Sequence, residues 1–154
     1  MSAVSPLSPS NASSQGARRP NLKTPVVAVM GATGAVGVEM VQCLEKRRFP
    51  LLSLRLFASA RSAGQRVSYA GQSIVVEELR EDVLDGIDIA LFSAGGSISR
   101  RFAPALAAKG TIVVDNSSAF RMDENVPLVV PEINADALGQ HRGIIANPNS
   151  AAIL

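Results

Sequence analysis

Val26-Val27-Ala28-Val29-Met30-Gly31-Ala32-Thr33-Gly34-Ala35-Val36-Gly37 is the stretch on which the reading of this chain turns. Its first five residues form an apolar run suited to a buried strand. From about Ala35 to Arg48, apolar Val38, Val41, Cys43 and Leu44 sit among Glu39, Glu45, Lys46, Arg47 and Arg48. That pattern predicts a helix, stopped by Pro50. Strand, glycine turn, helix is the context a dinucleotide site needs. Gly31 permits the tight turn, Gly34 lets backbone approach a pyrophosphate, and Gly37 lets helix and strand pack closely. The helix N-terminus offers free N–H groups and the positive end of its dipole. The spacing is G-x-x-G-x-x-G, a variant of the commoner G-x-G-x-x-G.

Downstream, Leu52 to Ala58 reads as a second strand. About 22 residues past Gly37 comes Ser59-Ala60-Arg61-Ser62. An NAD-preferring site carries a carboxylate here, to bind the ribose 2′-OH. A guanidinium between two hydroxyls suits a 2′-phosphate instead, which argues for NADP. The alternative is an ordinary polar turn. Val67 to Tyr69 and Ile74 to Val76 suggest a hairpin through Gly71. Asp88 to Phe92 is a further strand. It leads into Ser93-Ala94-Gly95-Gly96-Ser97, small residues at a strand's carboxyl end, where α/β sheets bind ligands. Ile98 to Lys109 reads as a helix that Pro104 must kink or begin, with Gly110 as its cap. Thr111 to Val114, Leu128 to Val130 and Gly143 to Ala146 are short strands, and Asn134 is expected to cap a short helix. Strands alternating with helices indicate an α/β, Rossmann-like, doubly wound and mostly parallel sheet.

Composition bounds the rest. Apolar residues make up 47% of the 154, with 5 Phe, 1 Tyr and no Trp, so the core is aliphatic. Of the 15 Lys and Arg, three (Arg18, Arg19, Lys23) precede the first strand, leaving 12 against 13 acidic residues. The folded part is near neutral and lacks a basic stripe, which argues against nucleic acid. No apolar run approaches ~20 residues, so no membrane span is expected. Cys43 alone provides neither a disulfide framework nor a cysteine-based zinc site, and a reducing compartment is the natural reading. On the helix after the glycine turn it is expected to be buried against the sheet. Residues 1–24 are rich in Ser, Pro and Ala and read as a disordered tail. The tail reads as a bland extension of a cytoplasmic protein or, alternatively, as a plastid or mitochondrial transit peptide.

Taken together, several segments resemble aspartate-semialdehyde dehydrogenase. They are Gly31 to Gly37, Ser59 to Ser62, Ser93 to Ser97, Val114-Asp115-Asn116-Ser117-Ser118-Ala119-Phe120-Arg121, Val126 to Asn134 and Gly143 to Asn149, in the family's order. The resemblance implies NADPH-dependent reduction of β-aspartyl phosphate to aspartate semialdehyde, a step toward lysine, threonine and methionine. It implies that Thr33, Gly34, Ala35 and Val36 contact the pyrophosphate and that Arg61 and Ser62, beside Ser59, hold the 2′-phosphate. Ser93, Ala94, Gly95, Gly96 and Ser97 would line the cofactor cleft. Arg121 and Asn149 would meet the phosphate of the substrate. For Arg121 the alternative is a surface salt bridge with Asp123 or Glu124.

The chain departs from the family at one decisive place. Where the family carries Asn-Pro-Asn-Cys, this sequence reads Asn147-Pro148-Asn149-Ser150. A serine hydroxyl is a far weaker acid than a thiol and needs an adjacent base. His141, in a polar turn, is not expected to serve. Residues 25–154 are therefore expected to form an incomplete NADP-binding domain, without the family's second domain for substrate and dimer contacts, and with apolar surface exposed. The expected activity of this chain alone is none. The alternatives are a non-catalytic NADP-binding module, or a relative of N-acetyl-glutamyl-phosphate reductase.

Overall fold

The computed structural model describes residues 18–149. Strand β1 spans Val26–Met30 and helix α1 Ala35–Lys46. Strands β2 (Ser53–Ala58), β3 (Arg66–Tyr69) and β4 (Gln72–Glu78) follow. Then come β5 (Ile89–Phe92), α2 (Gly96–Ala108), β6 (Ile112–Asp115), the short α3 (Pro131–Asn134) and β7 (Ile144–Ala146). The strands form one sheet in the order β3-β4-β2-β1-β5-β6-β7. All neighbours run parallel except the hairpin β3–β4. From β1 the chain builds outward to β2 and β4, then returns to lay β5, β6 and β7 on the other side. This reversal at β1 makes the sheet a Rossmann-like doubly wound one and opens a crevice beyond the carboxyl ends of β1 and β5.

Register decides which residues share a face. Val27 lies opposite Leu54 and Ile89, and Val29 opposite Leu56 and Leu91. On this face Val41 and Leu44 of α1 bury Val27, Val29 and Leu56. On the other face Phe102, Ala103 and Leu106 of α2 cover Ala28, Met30, Ala90 and Phe92. Burying a ring such as Phe102, 2% exposed, contributes up to about 3 kcal/mol.

Some local expectations are corrected. Cys43 is exposed. The buried stripe of α1 runs Gly37, Val41, Leu44. Val36, Met40 and Cys43 form a second stripe, facing a shallow hollow of about 270 Å³ with Leu91. Pro104 lies inside α2, not at its start. Leu128 makes a single bridge to Ala146, and no strand forms over 128–130. Asn134 holds the expected N-cap position, but its side chain makes no capping bond: its Oδ1 accepts from Val130 N and its Nδ2 donates to Leu128 O, both at 2.8 Å. The short helix expected after Asn134 is present as a 3-10 helix over Ala135–Gln140.

Residues 18–24, read from composition as part of a disordered tail, are tied to the domain. The carboxylate of Asp88, 1% exposed, accepts from Arg18 Nη2, Asn21 N and Val26 N at 2.8, 2.9 and 2.8 Å. Burial works against this charge. The Val26 and Asn21 amides and the Arg18 guanidinium outweigh it and hold the carboxyl below its ordinary value. Gly110 sits with φ +90, and a Cβ there would overlap the carbonyl oxygen of Arg18.

Candidate functional site: the crevice at the carboxyl ends of β1 and β5

The turn after β1 is built by backbone. Gly31 takes φ +86, and the amides of Gly31 and Ala32 both donate to Phe57 O, at 2.9 and 3.0 Å. Gly34 N closes the turn on Gly31 O at 3.1 Å. A Cβ at Gly31 would come within 2.9 Å of Ser93 O, and one at Gly37 would overlap Gly31 O. These two glycines are therefore dictated by the fold itself. The loops after β1 and β5 are also joined through Ser93 Oγ, which donates to Met30 O at 3.0 Å.

Gly34 is different. Its φ of −77 suits any residue, and a Cβ there would meet only Gly31 O, at an ordinary 3.5 Å. It occupies the N-cap of α1, where Ser, Asp or Asn stabilises a helix, yet no side chain caps this one. The first-turn amides of Ala35 and Val36 have no partner within the helix, and both residues are exposed. The cradle at Gly34 has room for an anionic group against bare amides, which fits the pyrophosphate of a dinucleotide.

Beside this turn lies a cavity of about 240 Å³ that brings Gly31, Thr33, Ser59 and Ala94 together. Leu79, Ile98, Arg101 and Phe102 also line it and were missed in the sequence. Ile98, Arg101 and Phe102 stand at i, i+3 and i+4 on α2, so helical spacing past the glycine loop was the available signal. Leu79 carried none. Ser62, half-buried, closes a turn on Ser59 O at 2.9 Å, and Arg61 is exposed beside it. Neither lines the cavity, and nor do Ala35, Val36, Gly95, Gly96 or Ser97, which flank it in the chain. Gly95 caps α2 with φ +91.

A second cluster lies beyond β6 and β7. Arg121 donates through Nε to Asn147 O at 2.7 Å and through Nη2 to Asn116 O at 3.0 Å. It thus straps two loops together, in place of the alternative pairing with Asp123 or Glu124. Asp115, fully buried, accepts from Ser99 Oγ at 2.7 Å and from Ser117 N and Oγ at 3.0 and 2.8 Å. That network holds the loop whose Asn116 carbonyl receives Arg121. Asn149 is exposed at the end of this strap. Ser150 lies outside the described residues. His141 Nδ1 accepts from Gly143 N at 3.0 Å, a turn contact.

Among the described residues no three His, Cys, Asp or Glu side chains are placed to hold a metal ion. No helix there is long and apolar enough to cross a membrane.

Comparison with known proteins agrees with this geometry. Residues 26–141 match the family model described as semialdehyde dehydrogenase, NAD binding domain. An aspartate-semialdehyde dehydrogenase of Bacillus subtilis is 55% identical over 127 residues, 82% of this chain and 37% of that protein. The crystal structure of aspartate semialdehyde dehydrogenase II from Vibrio cholerae, complexed with ASA, superposes with a TM-score of 0.82 at 45% identity. It covers 84% of this chain and 43% of its own. The Candida albicans enzyme, solved with NADP, gives 0.71 at 25% identity over 83% of this chain and 43% of its own. The chain therefore spans about two fifths of the length of these relatives. With its glycine turn, crevice and sheet order all in place, it belongs to the semialdehyde dehydrogenase family, of which it carries the NAD-binding domain.

Proposed function

We propose that this chain is the NADP-binding part of an aspartate-semialdehyde dehydrogenase, the enzyme that reduces β-aspartyl phosphate to aspartate semialdehyde. The observation that carries the reading is Gly34: a glycine that the fold does not need, at an uncapped helix start beside the cavity containing Ser59. Thr33 to Val36 would hold the pyrophosphate on backbone amides. Ser59, Arg61 and Ser62 would take the 2′-phosphate, and their lack of a carboxylate selects NADP over NAD. Ser93 to Ser97 would form the far wall. When bound, NADPH supplies the hydride of the reduction.

Arg121 and Asn149 stand at the exit of the adjacent strands, where a phosphate-bearing substrate is expected. Arg121 already gives Nε and Nη2 to carbonyls, so an anion would meet the remaining edge of its guanidinium. At the nucleophile position the chain presents Ser150, a hydroxyl where the family uses a thiolate. That residue favours an NADP-binding role without turnover for the chain as it stands. The substrate is part of the same proposal, drawn from the homo-oligomeric family, whose dimer contacts would lie largely in the second domain. A cytoplasmic location, or a plastid one if the Ser- and Arg-rich tail is a transit peptide, is drawn from composition.

The proposal is tested by adding NADPH to isotope-labelled chain and following backbone amide resonances. Shifts confined to Thr33–Val36, Ser59–Ser62, Ser93–Ser97 and the cavity wall of Leu79, Ile98, Arg101 and Phe102 are expected. Shifts elsewhere, or none in a folded sample, would refute it.

A further inference from the structure

We infer that Arg101, on α2, reads the 2′-phosphate of the cofactor alongside Arg61; the inference rests on the dinucleotide reading above. Ser59 follows β2 directly, the place from which this fold contacts the ribose 2′ group. Arg101 lines the same cavity of about 240 Å³, whereas Arg61 is exposed outside that lining. In so small a space, a group near the Ser59 hydroxyl lies within reach of the long Arg101 side chain. Leu79 and Ile98 supply apolar walls suited to a base.

Two further contacts make Arg101 suited to the task. Its guanidinium lies over the Phe102 ring, 4.8 Å from the centroid, and that ring is buried. The cation–π contact orients the cation without consuming its N–H donors. The carboxylate it meets is Glu81, through Nε at 3.4 Å, with both side chains 65% exposed. Such an open pair contributes little. A phosphate dianion accepts a guanidinium fork bidentately and displaces the carboxylate.

The test is a titration of the full chain with NADPH and NADH, in wild type, Arg101→Ala, Arg101→Lys and Glu81→Gln. Losing a charge-assisted contact of this kind corresponds to about tenfold or more in affinity. Arg101→Ala should lose that factor for NADPH and leave NADH within about twofold. Arg101→Lys should recover part of the loss, since it keeps the charge and lacks the fork. Glu81→Gln should tighten NADPH alone, by removing the competitor. Equal losses for both cofactors would overturn the inference and make Arg101 a wall for the base. No change in either would overturn it too. A folded wild-type chain that binds neither cofactor would instead overturn the dinucleotide reading on which the inference rests.

Discussion

The two ends of the sheet are built on opposite principles. At the amino ends of β1 and β5, Asp88 is buried and its carboxylate is saturated by Arg18, Asn21 and Val26. At the carboxyl ends of the same two strands, α1 begins at Gly34 with no capping side chain and with its first amides facing outward. One end spends its polar groups on itself and stabilises the fold. The other leaves donors open to solvent, where a ligand can supply the acceptor in place of water. Function in this chain is read from the end that is incomplete.

Substitutions at the two ends should therefore separate stability from binding. The largest effect is expected at Gly37→Val. Its side chain would overlap Gly31 O and press on Ala32, all backbone that cannot turn aside. A loss of about 3 kcal/mol or more is expected, read as a collapse of the urea midpoint.

Next is Asp88→Ala, which strands the donors of Val26, Asn21 and Arg18. About 2–4 kcal/mol should be lost in denaturant unfolding, with no selective effect on cofactor. Because the folded-state pKa of Asp88 is lowered, its contribution is complete above the unfolded-state value. It fades as pH falls through the lowered folded value. Asp88→Asn should flatten that part of the acid limb in a comparison of stability against pH.

Gly34→Asp should do the reverse. A carboxylate at the N-cap gains a few tenths of a kcal/mol in thermal unfolding. It fills the anion cradle with like charge, so NADPH affinity should fall by about tenfold or more.

The smallest effect is expected far from the crevice, at the β3–β4 turn. Ala70 holds φ +47 there, a conformation disfavoured for a residue with a Cβ. Ala70→Gly should stabilise by about 0.5–1 kcal/mol and leave cofactor binding unchanged. A binding change would mean the hairpin and the crevice are coupled.

The sequence was legible where the physics is local. The apolar run of Val26 to Met30, the glycine turn and the breaks at Pro50 and Gly110 placed the strands and helices within a few residues. It was silent where contacts span long separations. The Asp88 clamp joins residues 62 to 70 positions apart. Leu79 and Arg101 reach the cavity only once the sheet is assembled. Cys43 was misread because α1 carries two apolar stripes, and the one through Gly37, Val41 and Leu44 is the buried one. Leu128 to Val130 looked like a strand, but Pro127 and Pro131 frame it and remove the N–H donors a ladder needs. Of the candidate site, the residues on the turn after β1 were readable from spacing. The wall formed by Ile98, Arg101 and Phe102 went unread although all three lie on the expected helix, because which face of α2 meets the crevice is set only by the assembled sheet.

The most direct measurement is NADPH binding by calorimetry to the wild-type chain and to Gly34→Asp, each first shown to unfold cooperatively. Saturable binding by wild type, tighter than for NADH and lost in Gly34→Asp at undiminished stability, is the predicted result. Equal binding by both proteins, or none by a folded wild-type chain, would contradict the claim that the open end of this sheet is a cofactor site.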